Sequence, residues 1–126
     1  MMEKTSLSAG LALRAALLAA DTGATKVFPV VVDEAALPYI CYRRAALAQN
    51  PVKAGLPGAD TAVYEVACYA GSYAGSLALA EKVRAALDRK QWNAEGLTVR
   101  ACTLTAAAEA AEADAFIQVL TFNVKV

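Results

Sequence analysis

The side chains here with the strongest claim to chemistry are Cys41, Cys68 and Cys102, two close carboxylate pairs, and a serine beside a glycine. A thiol or hydroxyl needs a base, and a metal needs several ligands. The chain holds no histidine. That removes the usual general base, the commonest metal ligand and any Ser-His or Cys-His pair. The cysteines lack CxxC spacing and each falls in a strand-like run, so they read as small buried hydrophobes. Their odd number fits a reducing compartment better than a disulfide scaffold. "GSYAG" at 71–75 looks like a nucleophile elbow, but its serine directly follows the glycine and no histidine could complete a triad. Ser72 reads instead as a helix cap. "GLPG" at 55–58 lacks the Lys and Ser/Thr of a phosphate loop. Asp33 and Glu34 adjoin a turn. Glu109 and Glu112 could share a helical face, beside nothing like a substrate pocket, and read as solvated. The residues therefore predict no catalytic group, no cofactor and no metal.

The elements that would position these groups belong to a chain of 126 residues, the size of one domain. Such a chain buries roughly two-thirds of its unfolded surface, enough for one core. Twelve basic residues balance twelve acidic ones. No bulk field draws the chain to nucleic acid or an anionic membrane. No apolar run reaches a membrane span. The stretch "LSAGLALRAALLAA" is interrupted by Arg14 and reads as an amphipathic first helix rather than a signal peptide.

Residues 6–20 read as that helix, with Leu7, Leu11, Ala15 and Leu18 on its inner face and Leu17 at the margin. Gly23 supplies a stop. "KVFPVVV", 26–32, is a strand at an edge, because Pro29 cannot donate to a ladder. A second strand runs from Tyr39 to about Ala45. Residues 46–60 hold two Pro and two Gly without a period and read as a long loop. In the third strand, 61–70, Ala62, Tyr64, Val66 and Cys68 form the more apolar face and are expected inward. Residues 73–89 form the clearest helix, with Leu79, Ala80, Val83, Ala86 and Leu87 as its stripe. A turn at 93–96 leads to a fourth strand, 97–104. "AAAEAAEA" suggests a helical turn, and 114–126 a final strand with Gln118 breaking its apolar parity. The order α-β-β-β-α-β-β argues an α+β fold: a mostly antiparallel sheet with two helices packed on it.

Arg43 and Arg44 are adjacent in a strand, so they cannot both point to one face unless the strand ends there. They read as a solvated strand end or as a charged contact to a neighbouring chain. Tyr39, Tyr42, Tyr64, Tyr69 and Tyr73 bring aromatic surface to the same region.

"ALPYICYRR", a Gly-rich loop and "YEVACYAGSYAGSLALAEKVRAALD" together resemble the small tail-completion proteins of long-tailed phages and prophages. Leu37, Pro38, Tyr39, Cys68, Tyr69, Ala70, Tyr73, Ala80, Val83, Arg84, Ala86, Leu87 and Asp88 match that pattern. The likeness runs from about Leu11 to Val126, and the Ala/Glu stretch 105–113 departs from it. The resemblance implies a tail terminator of the lambda-like kind: a subunit, not an enzyme, that closes into a ring, commonly six-fold. Its partners would be copies of itself, the tail tube protein and the head-proximal connector, with no membrane and no sequence-specific nucleic acid. It would lie at the head-proximal end of the virion tail, having assembled in the bacterial cytoplasm. Arg43, Arg44, Asn50, Lys53 and Asp60 are the candidate subunit-interface residues. Alternatives are a head-closure or neck protein, or an unrelated small α+β ligand-binding domain.

Overall fold

The computed structural model describes residues 4–30, 32, 36–49, 60–112 and 114–126. A single-turn 3-10 helix, Ser6–Ser8, leads into helix α1, Ala9–Ala19. Strands β1 (Val27–Pro29), β2 (Tyr39–Ala48) and β3 (Thr61–Ala70) follow, then helix α2 (Tyr73–Leu87). The chain ends with β4 (Trp92–Ala94), β5 (Leu97–Val99), β6 (Ala101–Glu112) and β7 (Ala115–Lys125). The main sheet has the order β1-β2-β3-β7-β6, and β4 and β5 pair separately. Among the described residues only β1 with β2 is parallel. The fold is the expected α+β arrangement, with both helices on one face of a mostly antiparallel sheet.

Alternation builds the core. In β3 the buried residues are Ala62, Tyr64, Val66, Cys68 and Ala70, the expected face. Register places Ile40 and Tyr42 of β2 and Leu120, Phe122 and Val124 of β7 on the same side. A bulge between Arg44 and Ala46 keeps Leu47 on that side too. Over this face α2 lays Leu79, Ala80, Val83 and Leu87, all buried. Ser72 caps α2 as expected, its Oγ accepting from the Gly75 N–H at 3.0 Å. Gln118 also points inward. Its Nε2 donates to Ser76 Oγ at 3.3 Å and to Glu109 Oε2 at 3.0 Å, so the buried amide is satisfied.

Several sequence expectations change. On α1 the buried residues are Ala9, Ala12, Leu13 and Leu17, while Leu7, Leu11 and Leu18 are exposed. Close packing sets this rotation: a Cβ on Gly10 would stand 3.1 Å from the Tyr64 hydroxyl. Trp92 holds the other flank by donating to the Ala12 carbonyl at 3.0 Å. Second, β2 continues to Ala48, into the stretch expected as loop, because it pairs with β3 as far as Ala48↔Thr61; residues 50–59 lie outside the described residues. Third, the expected fourth strand divides into β5 and β6 at Arg100, and β4-β5 closes through Glu95 and Gly96, both at positive φ. Fourth, the Ala/Glu stretch is strand, because Ala106↔Thr121 through Glu112↔Ala115 are ladder pairs with β7. Pro29 does lie in an edge strand, Val27–Pro29, which is shorter than the expected 26–32; Val31 lies outside the described residues.

Candidate subunit interface

Arg43 and Arg44 lie within β2 rather than at its end. Register sets Arg43 opposite Glu65 and Arg44 opposite Tyr64, so the side chains leave on opposite faces. Arg43 ion-pairs with Glu65 on the face away from the helices. Arg44 reaches the helix side, where Nη1 donates to the Leu7 carbonyl at 2.9 Å. Burial raises the Tyr64 hydroxyl pKa, and the Arg44 charge beside it opposes that rise. Each guanidinium carries five N–H donors, and among the described residues Arg44 spends them on the Leu7 carbonyl and the Tyr64 hydroxyl and Arg43 on Glu65. An exposed pair such as Arg43–Glu65 is worth about 0–1 kcal/mol, so stability alone is a weak reason for it.

Asp60 stands just before β3, where its Oδ2 accepts from Ser6 Oγ at 2.6 Å and its carbonyl from the Val126 N–H at 3.3 Å. Arg44 and Asp60 therefore both hold the Ser6–Ser8 turn, one through Leu7 and one through Ser6. Local sequence cannot show this convergence, since the contacts span 37 and 54 residues. Asn50 and Lys53 lie outside the described residues. The tyrosines divide between two faces, contrary to the expectation of one aromatic region. Tyr42 and Tyr64 are buried under α1, while Tyr39 and Tyr69 stack with ring centres 4.6 Å apart on the opposite face. Tyr73 sits at the start of α2, edge-on to Phe116, and donates to Glu109 Oε2 at 2.6 Å.

Among the described residues no group of three or more His, Cys, Asp or Glu could hold a metal. Burial pushes the Cys68 and Cys102 thiols up to about 12, which suppresses the nucleophilic thiolate. Burial likewise raises Cys41, with Arg43 opposing. No helix among the described residues is long and apolar enough to cross a membrane.

Sequence reasoning missed two apolar surfaces. One lies along α1 and the β1–β2 side of the sheet, where Leu7, Leu11 and Val30 border a groove with Gly10, Arg44 and Tyr64. The other lies by β6, where Tyr73, Leu77 and Phe116 stay 48%, 39% and 41% exposed. Both hold large apolar groups in water, which needs a reason when they cluster.

The model of the family described as "Tail completion protein gp17" matches residues 7–126. No curated protein matches the chain. Among solved structures, a chain of the "Virion of native gene transfer agent (GTA) particle" is 18% identical, with a TM-score of 0.75. The match covers 97% of this chain and 98% of that one, and at this identity it shows a shared fold.

Proposed function

The chain belongs to the tail completion protein gp17 family and is thus a structural protein of a phage-type tail; from that premise we propose that it caps the tail tube as a ring of identical subunits. In this role it stops tube growth and presents the joining surface to the head-side connector. The family match along nearly the whole chain carries this reading. The fold shared with a chain of a gene transfer agent virion supports a place in a tailed particle. The whole chain acts as one tail-completion unit at the head-proximal end of the virion tail, assembled in the host cytoplasm. The work is architectural, with no catalysis, cofactor or metal.

A ring of identical subunits needs two different surfaces that fit each other, because a head-to-tail contact closes only by rotation. The region of Arg43, Arg44 and Asp60 supplies one of them, together with the segment holding Asn50 and Lys53. The Ser6–Ser8 turn that Arg44 and Asp60 hold belongs to the same surface, bringing Leu7 with it. Burial in the assembly would turn the Arg43 and Arg44 charges from weak surface pairs into interface contacts.

Light scattering on the purified protein, alone and after addition to tubes of its tail tube protein, tests the ring. A ring mass in either condition supports the reading. A monomer that never joins the tubes sinks it. Capture by the connector alone, without tubes, would indicate a neck protein instead.

A further inference from the structure

β6 is an outer strand of the main sheet, and it is unlike the others. Thr105 to Glu112 are exposed without interruption, whichever face they occupy. Five of these eight are alanine, a poor strand former, and among the described residues α2 reaches the segment through Tyr73 on Glu109 without burying it. β7 pairs on one side of β6, and among the described residues no strand pairs on the other. Edge strands with small side chains and bare backbone groups are templates for another strand, and proteins normally shorten or block them. Here only Glu109 and Glu112 carry charge in the segment. Glu109 is drawn toward the sheet by Tyr73 and Gln118, which leaves the edge clear.

The opposite edge has the complementary character. β1 pairs only with Ile40–Tyr42, so Arg43–Ala48 of β2 has no partner strand on its outer side among the described residues. Lys26, Arg43 and Arg44 lie on this side, and Arg14 of α1 stands near Tyr42. On the β6 side the described charges around the strand's end are Glu112 and Asp114, whose charges also reach Tyr39 of β2, and Glu109, which is turned inward onto Tyr73 and Gln118. Within a neutral molecule the C-terminal part of the β6 edge is thus acidic and the β1–β2 edge net basic, with Arg43 shared with Glu65 and with Arg100 and Lys125 flanking the start of β6. Strand directions also agree: β6 runs antiparallel to β7, and β7 runs parallel to β2. A second copy set edge to edge thus meets β6 antiparallel, as a continuation of the sheet.

We infer that the outer edge of β6, Thr105–Glu112, is an assembly edge that pairs with the β1–β2 edge of a second copy of this chain. Main-chain hydrogen bonds supply the attraction, and the alanines let the two strands approach. The charge contrast sets the order of edges and disfavours β6 against β6, where the glutamates would face like charges. The inference rests on the ring reading and names the surface that completes it.

Proline replacement at Ala107, Ala108, Ala110 and Ala111, one at a time, tests it. In an antiparallel edge strand the N–H groups alternate between the inner ladder and the open side. Proline at inner positions breaks the β7 ladder and lowers the melting temperature. At open positions it spares the fold and removes only a donor to the second copy. The expected result is an alternating pattern: the variants that melt like wild type raise the midpoint of assembly by about tenfold or more, roughly 1.4 kcal/mol. Glu112→Lys should weaken assembly too, and Lys26→Glu in the same chain should recover part of it. If the wild type assembles and every normally melting proline variant does so at the same concentration, the β6 edge is excluded while the ring stands. If the wild type never assembles, alone or on tubes, the ring reading falls and this inference with it.

Discussion

Leu87→Ala is the sharpest stability test of the packing that holds α2 on the sheet. Leu87 is fully buried, one turn beyond Val83 on the same stripe. The change deletes three carbons at about 0.8 kcal/mol each, roughly 2.4 kcal/mol in transfer alone. A rigid site adds a cavity contribution, because α2 is fixed between the Ser72 cap and Asp88, whose Oδ1 accepts from the Leu104 N–H at 2.9 Å. Together these give a loss of about 3 kcal/mol. In a chain of this size that lowers the melting temperature by about 10 °C. Urea titration followed by far-UV circular dichroism reads it as a shifted midpoint at constant slope. Leu77→Ala serves as the control. Leu77 is on the same helix but 39% exposed, so its loss should stay within about 0.5 kcal/mol. Equal losses for the two variants, or less than about 0.5 kcal/mol for Leu87→Ala, would refute the assignment of the buried face.

On α1, Leu13→Ala should cost about 2–5 kcal/mol and Leu18→Ala little, the reverse of what helical spacing alone suggests; the same denaturant titration checks both. Asp88 is held below the ordinary carboxylate range, first by the Leu104 N–H and then by Arg84. A depressed folded pKa stabilises above the unfolded value, about 3.9, and that stability disappears as pH falls through the folded value. Asp88→Asn should therefore flatten the acid limb of the stability–pH curve, and an unchanged limb would contradict the assignment. Cys68 and Cys102 should stay unreactive toward Ellman's reagent at pH 8 until the chain unfolds, whereas rapid native labelling of either would show that it is not buried as described.

The legible parts of the fold are those where local pattern and tertiary partner agree. In β3, polar Glu65 marks the outer face, so alternation alone identifies Ala62, Tyr64, Val66 and Cys68 as inner. In α2, Glu81, Lys82, Arg84 and Asp88 mark the wet side, and the stripe follows. In α1 almost every residue is Ala, Leu or Gly, and Arg14 is the one charged residue in the helix. The pattern then has no wet side to read, and contacts with Tyr64 and Trp92 choose the rotation. β6 is the extreme case. Alanine favours helix, and only the hairpin pairing with β7, the next strand in the chain, makes Ala106–Glu112 extended. Of the nominated interface, Arg43 and Arg44 were visible as an oddity of charge. Their separate anchoring, to Glu65 and to Leu7, depends on strand register and on the Ser6–Ser8 turn. The exposed groups at the β6 side follow from tertiary placement alone.

The central claim, that the protein caps the tail tube and ends its growth, is tested most directly by tail length. Particles assembled with and without the protein can be measured by electron microscopy, with the protein labelled in the complete particles. The account predicts overlong tubes unattached to heads when it is absent. When it is present, tubes should have a uniform length and the label should form a ring at the head-proximal end. Tails of normal length joined to heads in its absence, or label elsewhere on the particle, would contradict it.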